Sequence, residues 1–531
     1  MNLDAGLTTL DPAYARSRSP IWMTAQIFNG LVRLDSNLRV QPAIAKSWEI
    51  SEDGTQYTFH LRKGVRYHRH PVFFDQYALA DSTREVVAED FVYSLSRILD
   101  PSVASTGKWV FNGKIAGLEA YKSGASEKIA GFASQNDSTF VIRLSKAFPP
   151  FLSLLSMPYC YVLPHEIAEH YGQDFQRNPI GTGPFRFFRW KEGQSLILHR
   201  NPDYWEKDTQ GQSLPYLDAV KVRFIPSRLS AFIAFVHGKL DFIGDLDDSY
   251  RDEVLERDGS IKSPYREQYQ FLFKPQLNTE YLGIQIDPNL DISKAHPLLN
   301  VKLRQALNYA IDRPKLVRFL LNGMGYPAES GFMPKGLPAF DPEAVQGYTY
   351  DPIKARTLLA EAGYPNGEGL DKIVLYSTQK YAAISEFIQK SFEQIGVRAE
   401  VQNLDGGTLR EERDGLRINF WRASWIADYP DGENYLSLYW SNNFSPEGPN
   451  TTHFSSPEYD ALYEASLLET NDSLRHQLYH QMERLMIEQA PIVPLYYDRS
   501  FRMLQANIQG LGSNPMNYLS LLYVKKLDNS K

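Results

Sequence analysis

The chain has 531 residues, of which 43% are hydrophobic and 22% are charged, values that are ordinary for a globular protein. This length predicts roughly three domains, at ~150 residues each. The formal net charge of -7 argues against a nucleic-acid binder, because neutralising phosphates requires clustered Lys and Arg.

The first half of the chain shows three clear elements. Residues 57–61 alternate polar and apolar side chains and predict a strand after the Asp53-Gly54 turn. Residues 89–99 carry apolar side chains at helical spacing and predict a helix that ends before Asp100-Pro101. Residues 195–199 form a short apolar run that predicts another strand.

The second half contains cleaner helices. Asp351 predicts a helix N-cap with Pro352 at the first helical position, and Gly363 suits the left-handed residue that ends such a helix. Further helices and extended segments are predicted at residues 301–311, 385–395, 397–401, 474–486 and 490–495. Alternating helices and strands predict a mixed α/β architecture.

The sequence features that indicate a cellular compartment leave two locations open. The chain has no run of eighteen apolar residues, and its single cysteine, Cys160, permits no intramolecular disulfide. Residues 1–6 lack the basic start and apolar stretch of a signal peptide. We therefore expect either a cytosolic protein or a processed, exported form to which Met1 was added.

Aromatic residues are abundant, with 32 Tyr, 29 Phe and 8 Trp. Tyr and Trp offer stiff, amphipathic contact surface, so the excess fits a chain that holds small ligands. Large aromatic-rich cores explain it equally well.

Two motifs that suggest cofactor chemistry have plainer interpretations. Residues 181–184, Gly-Thr-Gly-Pro, lack the spacing and lysine of a phosphate loop and predict a tight turn entering a strand. His68 and His70 would share a face of a strand, but no third metal ligand is near, so we expect an exposed loop and no metal.

Catalytic motifs are missing from the sequence. It contains no Gly-x-Ser-x-Gly and no His-Glu-x-x-His. Asp428 and Asp431 could mimic a glycosidase pair, but they lie three residues apart beside a Pro-Asp-Gly turn. A cap or turn role for one of them is favoured.

The most informative stretch is residues 421–431, which combine a guanidinium, a carboxylate and two indoles. Leu416, Ile418 and Phe420 predict a strand, so we expect residues 422–428 to leave the sheet at its end, where ligands bind in α/β proteins. Arg422 and Asp428 then form either a surface salt bridge or a split pair, one charge for each end of a zwitterion. Six extended residues span ~20 Å, enough for a short peptide.

Several motifs together resemble the peptide-binding family of ABC-transporter solute-binding proteins, the oligopeptide- and dipeptide-binding type known as bacterial extracellular solute-binding protein family 5. Each motif is weak alone, but the set occurs in the family's order over essentially the whole chain. The motifs are residues 9–12, 26–32, 42–49, 57–65, 88–94 with Arg97, 100–101, 181–185, 201–205, 304–313, 350–352 and 362–364.

The resemblance implies an α/β fold of the periplasmic-binding-protein type II, with two lobes, a hinge and an extra domain in the first lobe. Lobe I would comprise residues 1–43, 177–275 and 497–531, the extra domain 44–176, and lobe II 276–496. The lobes would close on a ligand like a clamp. One departure from the family is a long insertion at residues 66–87, whose role the resemblance leaves unknown.

Site residues follow from the same resemblance. It implies that Asp428 pairs with a peptide α-ammonium and that Arg422 meets the peptide carboxylate. Ser424 and Ile426 would offer main-chain groups to the peptide backbone. The remaining implied ligand-binding residues are Trp421 and Trp425 in side-chain pockets, one of which could instead be core, Arg18 on a facing strand of lobe I, and Lys380 near the C-terminus of the peptide.

The implied function is a non-enzymatic peptide-binding protein of an ABC importer that delivers its ligand to an inner-membrane permease. The resemblance further implies a monomer, without cofactor or nucleic-acid partner, that is periplasmic or lipid-anchored on the outer face of the cytoplasmic membrane. Alternatives that stay open are binding of another solute (a nickel chelate, an oligosaccharide or an opine), a bilobal hydrolase, and a chaperone- or receptor-like role.

Overall fold

The computed structural model describes residues 1–77 and 81–528, which contain both helices and strands throughout. The helices are α1 Arg18–Ile27, α2 Pro71–Asp75, α3 Ala88–Leu99, α4 Leu118–Lys122, α5 Phe151–Leu154, α6 His165–Tyr171, α7 Arg228–Val236, α8 Asp248–Val254, α9 Ser263–Gln268, α10 Val301–Tyr309, α11 Arg313–Leu320, α12 Pro352–Glu361, α13 Ala382–Glu393, α14 Gly406–Asp414, α15 Glu433–Leu436, α16 Pro457–Ser466 and α17 Asp472–Gln489.

The strands are distributed along the same residues. They are β1 Val32–Leu34, β2 Val40–Pro42, β3 Ala45–Ile50, β4 Gln56–Leu61, β5 Phe132–Asn136, β6 Thr139–Arg143, β7 Phe185–Lys191, β8 Ser195–Arg200, β9 Ala219–Arg223, β10 Phe242–Ile243, β11 Tyr269–Ile284, β12 Gly325–Pro327, β13 Ile373–Ser377, β14 Ala399–Asn403, β15 Phe420–Ile426, β16 Ile492–Gln505, β17 Ile508–Gln509 and β18 Lys525–Lys526. The predicted mixed α/β class is confirmed.

The chain divides into two compact units. Unit 1 comprises residues 1–250, 264–272 and those from Phe501 on, and unit 2 comprises 251–263 and 273–500. The predicted extra domain at residues 44–176, with its lobe boundaries, stays a prediction.

Unit 1 is built on small antiparallel sheets. One has the strand order β3-β4-β6-β5 and another β7-β8-β9. Phe59, Phe91 and Phe140 stack within its core, with ring centroids 6.4 Å and 5.7 Å from that of Phe140. The alternation at residues 57–61 therefore placed β4 correctly, because every second side chain is buried.

Unit 2 is built on a mixed sheet with the strand order β16-β11-β15-β13-β14. β11 and β15 are antiparallel, whereas β13 runs parallel to both β14 and β15. Helices α10 to α13 bury their apolar faces against this sheet, in a core that includes Leu282, Leu307 and Phe392. Burial of these faces, not intrinsic helix propensity, supplies most of the stability of such helices.

Helix α12 begins and ends at the residues that its local sequence predicts. The Asp351 carboxylate accepts hydrogen bonds from the backbone N–H groups of Ile353 and Lys354, at 3.1 and 2.9 Å. Pro352 opens the helix, and Gly363 has a φ of +95° just beyond its end. The predicted N-cap and terminating glycine are confirmed.

The turn at residues 181–184 leads into β7, as predicted. A Cβ on Gly183 would lie 2.4 Å from the carbonyl carbon of Ile27. The glycine is therefore required for close packing of two backbones, and not for holding a phosphate.

The prediction of a loop at His68 and His70 is confirmed, but the prediction that it is exposed is wrong for His68. His68 is 2% exposed, and its Nε2 lies 2.9 Å from the carbonyl oxygen of Gly183. His70 caps α2 through Nδ1. In the described residues no group of three His, Cys, Asp or Glu side chains is arranged to hold a metal.

The insertion at residues 66–87 folds onto unit 1. Tyr67 and Phe73 are buried with their rings 6.3 Å apart, and the Thr83 hydroxyl donates to the Tyr67 carbonyl at 2.6 Å. Residues 78–80 of the insertion lie outside the described part of the chain. None of the described helices combines the length and the apolar character that crossing a membrane would take.

Candidate functional site

Strand β15 holds most of the predicted site residues. The prediction that residues 422–428 leave the sheet is wrong for 422–426, because β15 runs from Phe420 to Ile426. Leu416 lies before the strand, with a φ of +57°. Leu416 and Ile418 therefore lie before the strand, and the residues from Phe420 to Ile426 form it.

One edge of β15 is only partly used. Along one side, β15 pairs with β11 over its whole length, with Ser424 opposite Glu280. Along the other side, β13 pairs with it only at Trp421. In the described residues, the part of this edge from Arg422 to Ile426 therefore has no strand partner.

Asp428 follows β15 and is partly buried. Its backbone N–H donates to Asn434 Oδ1 at 3.1 Å, and the same oxygen accepts a hydrogen bond from Trp425 Nε1 at 3.1 Å. Burial raises the pKa of Asp428, and a side-chain hydrogen bond from Asn434 opposes that rise. Among the described residues no Lys or Arg forms an ion pair with this carboxylate. A partly buried carboxylate in this state is stabilised by any cation that reaches it.

Arg422 makes its contacts with other side chains of the protein. Its guanidinium forms an ion pair with Glu280 and lies 3.4 Å above the centroid of the Tyr381 ring. Glu280 and Tyr381 both raise the pKa of Arg422 against the effect of burial. The alternative of a surface salt bridge between Arg422 and Asp428 is wrong, because the partner of Arg422 is Glu280 and the pair is buried.

Glu280 belongs to a larger polar cluster. Asn278 Nδ2 donates to Glu280 Oε1 at 3.1 Å and to Asp498 Oδ2 at 2.6 Å. Burial is the main cause that raises the pKa of Glu280, and burial together with Glu280 raises the pKa of Asp498 to about 7. Lys380 is exposed and acts on both carboxylates through its charge, which lowers their pKa values.

The two indoles have different environments. Trp421 is 1% exposed and its ring fills the space beside Gly283, so it is a core residue. Trp425 and Ser424 are partly buried, whereas Ile426 is 59% exposed. Of the predicted pair, Trp425 is the indole that borders Asp428.

Arg18 lies in unit 1, and the expected strand around it is wrong. Arg18 is the first residue of helix α1. Its guanidinium pairs with Asp4 and Asp245 and lies 5.3 Å from the ring centroid of Trp22. Pro20 stands in the first turn of α1, where its fixed φ favours a helix start.

Sequence reasoning missed Glu280, Asn278 and Asp498. Asn278 and Glu280 are two residues apart in a strand and therefore share a face. Asp498 interrupts the apolar start of β16, whose first six residues are all buried. A charged residue inside an otherwise apolar strand is rarely buried without a partner. The positions of Glu280 and Asp498 in such strands could therefore have indicated a buried polar cluster.

The architecture is that of the type II periplasmic binding proteins. The solved structure of HbpA2 from Haemophilus parasuis superposes with a TM-score of 0.81 at 24% identity, covering 98% of each chain. The predicted fold class is confirmed.

The chain belongs to the bacterial extracellular solute-binding proteins of family 5, whose family model matches residues 39–446. It is 30% identical over 509 residues to the heme-binding protein A of Haemophilus influenzae, covering 93% of this chain and 85% of that protein. It is 25% identical over 531 residues to the dipeptide-binding protein DppE of Bacillus subtilis, covering 98% and 90%. Both relatives are named as binding proteins.

Proposed function

We propose that this protein is the solute-binding component of an ABC importer and that it binds short peptides through their α-ammonium group at Asp428. The carrying observation is a partly buried carboxylate without a Lys or Arg partner among the described residues, placed at the end of β15. The relative DppE is named for dipeptide binding.

The ammonium of a peptide is the group that Asp428 lacks. Removing one partner of a buried, hydrogen-bonded charge pair costs about 2–5 kcal/mol. The bound ammonium would also sit beside Trp425, which donates to the same Asn434 oxygen as the backbone N–H of Asp428. Asn434 thereby holds the Trp425 side chain next to the backbone of Asp428.

The free edge of β15 suits a peptide backbone. An extended ligand can add to an unpaired strand edge by main-chain hydrogen bonds, which give affinity without selecting a sequence. Main-chain groups of Ser424 and Ile426 lie on the stretch of β15 beyond its contact with β13. This mode predicts tolerance of varied side chains.

The proposal also covers where the protein acts and which partner receives its ligand. We propose an extracytoplasmic monomer, free or lipid-anchored, that has no catalytic activity and hands its ligand to a membrane permease. The support is membership of a family described as extracellular solute-binding proteins.

Calorimetry tests the ammonium assignment. Trialanine should bind the wild-type protein, whereas N-acetyl-trialanine should bind ~30-fold or more weakly, the lower end of the cost of losing a charge partner. Asp428→Asn should lose trialanine binding to a similar extent. Asp371→Asn removes one charge at an exposed position of the same unit and should bind like the wild type.

Three outcomes would overturn the proposal. One is Asp428→Asn binding trialanine as the wild type does. Another is a failure of all free peptides while a nickel–histidine chelate, an oligosaccharide, an opine or haemin binds. The third is the appearance of cleaved peptide by mass spectrometry after incubation, which would establish an enzyme.

A further inference from the structure

Asp498 is a second desolvated carboxylate of unit 2. It lies in β16, and its hydrogen-bond partner is the Nδ2 of Asn278, at 2.6 Å. Among the described residues it forms no ion pair with Lys or Arg, and burial raises its pKa to about 7. Asp498 therefore resembles Asp428 in being a desolvated carboxylate without a counter-ion.

The cations near Asp498 do not fill this role. Arg422 is held by Glu280 and by the face of Tyr381, 3.4 Å away. Lys380 is exposed and forms no ion pair within the described part of the chain, although its charge acts on Asp498. The Arg422 guanidinium thus balances the charge of Glu280. The charge of Asp498 is left without a counter-ion in the described part of the cluster.

Asn278 provides an independent sign of a missing group. This side chain is 2% exposed, and its Nδ2 donates to both Glu280 and Asp498. Its Oδ1 is buried without a hydrogen-bond partner in the described residues. A buried amide oxygen without a donor costs about 1–3 kcal/mol. Because Oδ1 and Nδ2 belong to one amide group, this acceptor borders the same carboxylates.

The charges of the two carboxylates act on one and the same side chain. The hydroxyl group of Tyr435, a fully buried residue, is acted on by the charges of both Asp428 and Asp498. β11 and β15 pair in the register that places Asn278 opposite Ile426, two residues before Asp428. Both carboxylates therefore belong to one region of unit 2.

We propose that Asp498 and Asn278 Oδ1 bind a second cationic group of the ligand, the ammonium or guanidinium of a basic side chain. A Lys, ornithine or Arg side chain supplies several N–H donors, enough for the carboxylate and the amide oxygen together. The protein then prefers peptides with one basic side chain over their neutral counterparts. This inference rests on the proposed function, since it takes the α-ammonium to lie at Asp428.

Matched peptides test the inference by calorimetry. Norleucine has the lysine carbon chain with a methyl in place of the ammonium. Tripeptides of Ala with a single Lys are compared, position by position, with those carrying norleucine. At one position at least, the Lys peptide should bind ~10-fold or more tightly to the wild type, equivalent to ~1.4 kcal/mol.

Variants then locate the effect. Asp498→Asn should reduce the Lys-to-norleucine ratio to about 1, whereas Asp371→Asn should keep the ratio. Asn278→Ala keeps both carboxylates and should reduce the ratio only in part. Equal binding of Lys and norleucine peptides by the wild type would overturn the inference even if a variant does not fold.

The outcomes separate the two proposals. Equal binding of Lys and norleucine peptides at every position overturns this inference and leaves the peptide assignment standing. A wild-type preference that survives Asp498→Asn also overturns it. Failure of trialanine and of all Lys and norleucine peptides to bind overturns the proposed function, and this inference with it.

Discussion

Replacing Arg422 by Met should destabilise unit 2 to an extent that grows with pH. The Arg422 and Glu280 side chains are 12% and 6% exposed, so the change leaves a buried carboxylate without its cation. Removing one partner of a buried ion pair costs about 3–5 kcal/mol when the remaining charge is forced to stay. Glu280 can instead take up a proton, and this lowers the cost at low pH.

The sign of the pH dependence follows from Glu280. Burial already raises its pKa above the ordinary value of 4.5 in the folded protein, and loss of Arg422 raises it further. A folded-state pKa above the unfolded one contributes stability that is present below the unfolded pKa and lost as pH rises through the folded pKa. The cost of Arg422→Met should therefore be smaller at pH ~5 than at pH ~8, and it should grow with pH towards ~3–5 kcal/mol.

Thermal melts at these two pH values measure the effect. Unit 2 has roughly 240 residues, a size at which ~1 kcal/mol shifts Tm by ~2–4 °C, so the full cost corresponds to ~6–20 °C. Since a chain with two units need not melt in one step, hydrogen exchange of peptides from β11 identifies the transition of unit 2.

The double variant Glu280→Gln with Arg422→Met is the control. It removes both charges, so most of the loss should be recovered. An equal Tm shift at both pH values would refute the reasoning, and so would a double variant no more stable than Arg422→Met.

Three further predictions concern stability. Burial raises the pKa of Glu483 to about 8, so this carboxyl group lowers wild-type stability as pH rises from ~5 to ~9, and Glu483→Gln should remove that part of the fall. The Gln retains an acceptor for the N–H groups of Phe332 and Met333, and denaturant titrations at both pH values check this. Gly283→Ala places a Cβ 2.6 Å from the Trp421 ring and should cost ~1–3 kcal/mol in urea unfolding, which the smaller ring of Trp421→Phe should partly restore. Asp351→Ala removes the cap of α12 and should cost ~1 kcal/mol, whereas Asp351→Asn should cost less, with faster hydrogen exchange in the first turn as the readout.

The predictions that the structure confirmed depend on short stretches of chain. Helix α12 was placed by Asp351, Pro352 and Gly363, because caps act within one helical turn. Strand β4 was placed by alternation alone. The ordered motifs predicted the family over the whole chain, and the family model confirms it.

The errors arose where burial overrides local pattern. His68 resembles a loop residue in sequence, yet the carbonyl oxygen of Gly183, 115 residues away, gives it a buried partner. The polar residues after Phe420 looked like a strand end, but pairing with β11 keeps Arg422 to Ile426 in the sheet.

The residues alone predicted the α/β class, the family and a ligand-binding charge at Asp428. How the buried charges pair with one another follows from the folded arrangement of the strands. Arg422 meets Glu280, 142 residues away in sequence, and Asn278 joins Glu280 to Asp498, 220 residues from Asn278. These pairs depend on strand register and strand order, which bring together side chains that no local periodicity connects.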